Sequence, residues 1–113
     1  MILSRAASAP QEVALDDGTR RRSWAELDDR VRRIAHWLRD GLALAPASHV
    51  AVLMGNRAEA VEAVIGAFAA GLWITPVNRH LRPEEIAHVL ADSGARVVIA
   101  DAEHAAAARA AGA

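Results

Sequence analysis

Three short apolar runs separated by two helix-patterned stretches dominate the chain between His49 and Asp101. The runs cover residues 49–54, 72–75 and 97–100, and none shows a clean polar alternation. Such runs fit strands covered on both faces, as in a parallel α/β sheet. Between them, residues 56–71 and 83–94 are long enough to supply the helical crossovers that parallel neighbours need. The pattern predicts a β-α-β-α-β unit over residues 49–101, with right-handed crossovers and with Val50, Val52, Trp73, Ile74, Val98 and Ile99 buried between layers.

Upstream, residues 1–12 read as a leader containing a short helix that ends before Pro10. Residues 13–22 have the form of a β-hairpin, because Asp17-Gly18 suits the positive φ angles of a type I′ turn. Ser23-Trp24-Ala25-Glu26 is a capping box, so a helix over residues 23–41 is predicted to begin at Trp24. Its buried face is Trp24, Leu27, Val31, Ile34 and Leu38; Asp28, Arg32, Arg33 and His36 point away, Trp37 lies on the flank, and Gly41 is the stop. In the next helix Val61, Val64, Ile65 and Phe68 form one stripe, backed by Ala63, Ala67 and Ala70 instead of charge. A small apolar back predicts packing on that side as well. Pro83, Glu84 and Glu85 open the third helix, which buries Ile86, Val89 and Leu90 and stops at Gly94. Residues 102–113 are an alanine-rich helix that simply stops, which leaves the sheet with a raw edge.

Composition narrows the chemistry. With 113 residues the chain suits one small domain or a piece of a larger one, and a net charge of −1 gives no electrostatic footprint for nucleic acid or an anionic membrane. All 13 basic residues are arginine, mostly interleaved with acids, and cysteine is absent, which excludes disulfides, thiolate metal sites and cysteine nucleophiles. No run approaches the roughly 20 apolar residues of a membrane span, and the start lacks an apolar signal core; a soluble, cytoplasmic protein is expected. His36, His49, His80, His88 and His104 form no H-E-x-x-H pattern or tight pair, so surface histidines are expected in place of a zinc site. The glycines form no G-x-G-x-x-G, and a phosphate loop needs the lysine this chain lacks. Phe68 and Trp73 sit inside apolar runs and read as core. Ligands of open α/β sheets lie beyond the strand ends, here residues 54–57, 75–80 and Asp101. Arg57, Arg79 and His80 are the residues there that suit an anionic group, although turn formation is the simpler role for them. With no nucleophile elbow and no paired carboxylates, no catalytic, cofactor-binding or metal residue is assigned.

Five elements in order then resemble one family. Arg22-Ser23-Trp24-Ala25-Glu26-Leu27 is similar to the (T/S)-(Y/W)-x-E-L signature near the start of adenylate-forming, AMP-binding enzymes, and residues 50–57 resemble the strand and turn before their first crossover helix. Residues 65–78, Ile65-Gly66-Ala67-Phe68-Ala69-Ala70-Gly71-Leu72-Trp73-Ile74-Thr75-Pro76-Val77-Asn78, look like their L-K-A-G-x-x-x-x-P-(V/L/I)-(N/D) element. Leu81-Arg82-Pro83-Glu84-Glu85-Ile86 and Asp92-Ser93-Gly94-Ala95-Arg96 resemble L-T-P-E-E-(I/L) and D-S-G-A-(R/K). Arg82 departs from the usual threonine cap, a local loss of about 1 kcal/mol.

The resemblance covers about residues 10–105 and only the opening of the family's large N-terminal domain. It implies an N-terminal fragment of an acyl-CoA synthetase of the fatty-acyl or aryl branch, since Thr75-Pro76-Val77-Asn78 differs from the Y-V-P-(L/I)-D of peptide synthetases. A complete relative would use Mg-ATP to form an acyl adenylate and then pass the acyl group to CoA. The family's Ser/Thr/Gly-rich ATP loop, Y-G-x-T-E element, ribose-binding aspartate and catalytic lysine all fall downstream of these signatures. The chain alone is therefore expected to be inactive, to have the remainder of a synthetase as its partner, and to self-associate through its raw edge. Two alternatives stand beside this reading: a stand-alone scaffold or binding module of flavodoxin-like shape, and one chain of a split synthetase.

Overall fold

The computed structural model describes residues 2–111. A short helix α1 (Arg5–Ser8) precedes an antiparallel hairpin of β1 (Val13–Asp16) and β2 (Arg21–Ser23). Then follow α2 (Trp24–His36), a π-helical turn (Trp37–Gly41), β3 (His49–Leu53), α3 (Ala58–Ala69), β4 (Trp73–Pro76), α4 (Pro83–Ser93), β5 (Val97–Ala100) and α5 (Ala105–Ala111). The helix expected over 102–113 thus begins at Ala105, and positions 112 and 113 lie outside the described residues.

Strands β4, β3 and β5 pair in that order, all parallel, with Val50 opposite both Ile74 and Val97. Successive side chains point to opposite faces. Val50, with Ile74 and Ile99 beside it, packs on Ala35 of α2, on Leu38 of the π-helical turn, on Ala67 of α3 and on Ala70 at its C-cap. Ala51 and Leu53, with Val98 and Ala100, pack on Ile86 and Leu90 of α4 and on the alanines of α5. The result is a three-layer α/β sandwich. Because β3 to β4 runs one way along the sheet and β4 to β5 runs back across β3, crossovers of one hand put α3 and α4 on opposite faces.

Local chemistry explains the ends of these elements. Ser23 Oγ accepts from the Glu26 amide at 3.2 Å while the Glu26 carboxylate accepts from the Ser23 amide at 2.8 Å, so α2 begins at Trp24 with a complete capping box. At α4 only half of that arrangement exists. Glu85 accepts from the Arg82 amide at 2.9 Å, but arginine has no acceptor to return. Gly94 ends α4 at φ 70°, the left-handed conformation glycine adopts freely. The last turn of the second helical segment widens, with Leu42 donating to the Trp37 carbonyl at 2.8 Å, and Trp37 folds back over Gly41.

The structure corrects several sequence-based expectations. The hairpin closes through Gly18-Thr19, with Asp17 N–H donating to the Arg20 carbonyl at 3.1 Å. Of the two central residues only Gly18 has positive φ (88°), so the turn is not type I′. Asp28, expected to point away from the core, is buried, and its Oδ1 accepts from the amides of Ile2 and Leu3 at 2.8 and 2.7 Å, tying the leader to α2. Val50 and Val52 are buried, whereas Ile74, Val98 and Ile99, on the two outer strands, are only half-buried. Trp73 and Phe68, read as core, are 62% and 77% exposed. Trp73 lies on outer strand β4, stacked on His49 with ring centroids 6.3 Å apart. Phe68 is exposed because α3 docks through its small side, Ala58, Ala63, Gly66 and Ala67, and turns its bulky stripe outward.

Candidate functional site

Parallel strands share one carboxyl edge. There β3 leads into α3 on one face, while its neighbours β4 and β5 lead into α4 and α5 on the other. A crevice therefore opens on each side of the β3 terminus, where chains leave for opposite faces.

The crevice between β3 and β5 has a volume of about 330 Å³. Gly55, Asn56 and Arg57 wall one side, Asp101 and Glu103 the other, and the hairpin turn closes the top. Asp101 is buried and fully engaged: Oδ2 accepts from the Gly55 amide at 3.0 Å, and Oδ1 accepts from the His104 amide at 3.0 Å and meets His104 Nδ1 at 2.5 Å. Burial pushes the Asp101 carboxyl up, but the Gly55 amide and the two His104 contacts outweigh it, and the group sits below its ordinary range. Arg57 Nε stands 3.9 Å from the same carboxylate. Asp101 thereby pins the start of the β5–α5 link to the turn after β3.

Asp17 performs the corresponding task for the hairpin. Its Oδ1 accepts from the amides of Thr19 and Arg20 at 2.9 and 2.6 Å, and its Oδ2 accepts from the Ala58 amide, the first of α3, at 2.7 Å. Hydrogen bonds from Arg20, Ala58 and Thr19 hold the carboxyl at about 2. A side chain 41 positions upstream thus caps α3, whose own N-cap, Arg57, makes no side-chain cap bond. Two further pairs fasten hairpin and α2 to α3. Arg20 bridges to Glu59, and the buried Glu62 takes Arg22 Nε at 3.0 Å and Arg30 Nε on one oxygen. Its other oxygen, Oε1, has no hydrogen-bond partner among the described residues.

The second crevice, about 320 Å³ between β3 and β4, has an apolar floor of Val52, Val64 and Val77 with Asn78 and His80 at the rim. The three strand-end residues singled out from the sequence are therefore divided. Arg57 lines the first crevice, His80 the second, and Arg79 lies between and borders both. Of the histidines, His104 joins Asp101 and Glu103 in a group whose ligand atoms lie within 4.8 Å of one another. A cation there would have to displace the imidazole and amides that already occupy both Asp101 oxygens. Asp17 and Glu62 were not legible as linking residues. The signals were faint: Asp-Gly reads as a turn, and Glu62 is the last charge before Arg79, one turn after Glu59 in a helix that is apolar from there on.

Against known proteins, the model of the AMP-binding enzyme family matches residues 3–113. The chain is 39% identical over 101 residues to a feruloyl-CoA synthase of Amycolatopsis sp, covering 89% of this chain and 20% of that protein. It is 37% identical over 105 residues to the 2-succinylbenzoate–CoA ligase of Geobacillus kaustophilus, covering 90% and 21%. In structure it resembles the N-terminal domain of FACL13 from Mycobacterium tuberculosis, with a TM-score of 0.85 and 31% identity over 94% of this chain and 27% of that one. The chain spans about a fifth of the length of the curated relatives it matches. No helix among the described residues is long and apolar enough to cross a membrane. Its ordered signatures, its three-layer parallel sandwich and these matches make the chain a member of the AMP-binding enzyme family, corresponding to the N-terminal portion of its acyl-CoA ligases.

Proposed function

We propose that these residues are the opening scaffold segment of an ATP-dependent ligase that activates an acyl or aryl carboxylic acid as its adenylate and transfers it to CoA in the cytoplasm. The observation that carries the reading is the match to a feruloyl-CoA synthase along 89% of the chain, at 39% identity. The segment's own work is architectural. The first crevice sets Arg20, Arg57 and Arg79 against Asp17, Glu59, Asp101 and Glu103, four carboxylates to three guanidiniums, with Arg20 already bridged to Glu59. A developing pyrophosphate needs cationic and amide donors in excess, so these residues do not fit a triphosphate. Binding of Mg-ATP and CoA, and the catalytic lysine, are assigned to the remainder of such an enzyme, which is this segment's partner.

Two measurements test the reading. Carboxylate-dependent ATP–pyrophosphate exchange by the purified chain should not exceed a buffer control, and exchange above it would overturn the assignment. A chimera in which this chain replaces the matching fifth of the feruloyl-CoA synthase should form feruloyl-CoA. A chimera that folds cooperatively but forms no thioester would count equally against it.

A further inference from the structure

Helix α3 is buried by its narrow side and exposed by its broad one. Ala58, Ala63, Gly66 and Ala67 face inward, while Val61 and Phe68 are 38% and 77% exposed, with Val64 and Ile65 half-buried between them. Positions 61, 64, 65 and 68 follow helical spacing and make one continuous stripe. Elsewhere the solvent-facing helix sides carry charge: Glu26, Arg30, Arg32 and Arg33 on α2, and Glu84, Glu85 and Asp92 on α4. The α3 stripe carries none, and no ionisable side chain occurs from Ala63 through Asn78. Past Glu62 the helix is apolar on its outer as well as its inner side, the pattern of a helix enclosed on both. At its upper end the stripe runs into the crevice between β3 and β4, where Val64 meets the lining formed by Met54 and Pro76.

We propose that this stripe, Val61, Val64, Ile65 and Phe68, is the seam on which the remainder of the ligase closes, seating an apolar face of that remainder so that α3 becomes an interior helix. The inference rests on the functional reading above and adds where the segment joins its enzyme. Covalent continuity favours that occupant, because the matched relatives carry about four-fifths of their length outside this stretch, and a tethered surface acts at an effective concentration on the order of millimolar. A second copy is less well matched to the stripe. Four side chains offer a patch on the order of a few hundred Å², against roughly 800 Å² per partner in a stable interface.

The chain has no cysteine, so one thiol reports on one position. Phe68→Cys and, on the solvent side of α4, Glu84→Cys are each placed in the isolated chain and in the chimera, and alkylation rates are read peptide by peptide by mass spectrometry. The thiol at position 68 should react freely in the isolated chain and at least tenfold more slowly in the chimera, while that at position 84 reacts alike in both. Equal rates at position 68 in a chimera that forms feruloyl-CoA overturn the seam and leave the functional reading standing. Loss of thioester formation in a folded chimera without the substitution overturns that reading instead. Protection at position 68 that grows with the concentration of the isolated chain places a second copy on the stripe and overturns the proposed occupant.

Discussion

Gly66 of α3 lies directly against Ile34 of α2: a Cβ at position 66 would fall 2.5 Å from Ile34 Cγ2 and 2.8 Å from Ile34 Cβ. The Val31 carbonyl, 3.3 Å away, closes the remaining side. Alanine normally improves a helix interior over glycine by about 1 kcal/mol. Here the overlap involves a branch point and not a flexible tip, and overpacking of that kind costs typically 1–3 kcal/mol. Gly66→Ala should therefore destabilise by about 1 kcal/mol in urea unfolding, and adding Ile34→Ala, which removes Cγ2, should recover part of the overlap term in a double-mutant cycle. A more stable Gly66→Ala protein would mean that the two helices separate freely.

This contact also shows where sequence reading stops. Short-range chemistry was legible: the Ser23–Glu26 capping box, Pro83 and the Gly94 stop each act within a few residues and lie where the pattern predicts. The three parallel strands were legible too, because apolar runs between two crossovers leave little choice. The docking side of α3 was not. Bulk suggested that Val61 and Phe68 faced the core, whereas close approach to α2 selects the alanines and Gly66. Nor did local pattern place Asp17 on Ala58 or Asp101 on Gly55, since both bonds span more than 40 residues. For the candidate site, the strand ends were foreseen, but the division of Arg57 and His80 between two crevices depends on which face each following helix takes.

Acid should loosen the hairpin and the strand-end links before the rest. The Asp17 carboxyl is lowered from the ordinary 3.8 to about 2, and those of Asp28 and Asp101 are also below the ordinary value. A carboxyl depressed in the folded state lends stability that is complete above its unfolded pKa and is lost as pH falls toward the folded one. Stability should thus be level above about pH 5 and fall from about pH 4 toward pH 2. Asp17→Asn should shallow that slope, as measured by denaturant midpoints across the range; an unchanged slope would remove Asp17 from the linkage.

Glu62 and Arg30 should behave unequally although they form one ion pair. The Glu62 side chain is 1% exposed and also holds Arg22, whereas Arg30 is 43% exposed. Removing the buried partner strands Arg22 and opens a void, so Glu62→Ala should cost about 3 kcal/mol. Arg30→Ala, at the solvent side, should cost under about 1 kcal/mol. Equal losses in chemical denaturation would show that the pair acts as a surface contact.

Self-association, if the isolated chain shows it through sheet pairing, should run through β5. The amides of Trp73 and Val77 bond to β3, so in a parallel ladder Ile74 and Pro76 face outward, and proline has no donor. On β5 the Arg96 amide points inward, which leaves Val97 and Ile99 facing out with both donors intact. Val97→Pro should reduce the associated fraction in sedimentation velocity over a tenfold concentration range, and association unaffected by it would place the contact elsewhere.

The strand order has a consequence for how the chain comes to be folded during synthesis. The central strand β3 obtains its first partner, β4, across about 24 positions, but its second, β5, only across about 47. Closure entropy separates the two events by about 0.6 kcal/mol at equal contact strength, and the ribosome separates them further, since β4 leaves the exit tunnel while β5 is still enclosed in it. A nascent chain with β4 just outside the tunnel would hold β3 paired on one side, with Ala51 and Leu53 still without the helix that later covers them. That half-finished sheet is the stage at which this segment most needs protection from other chains.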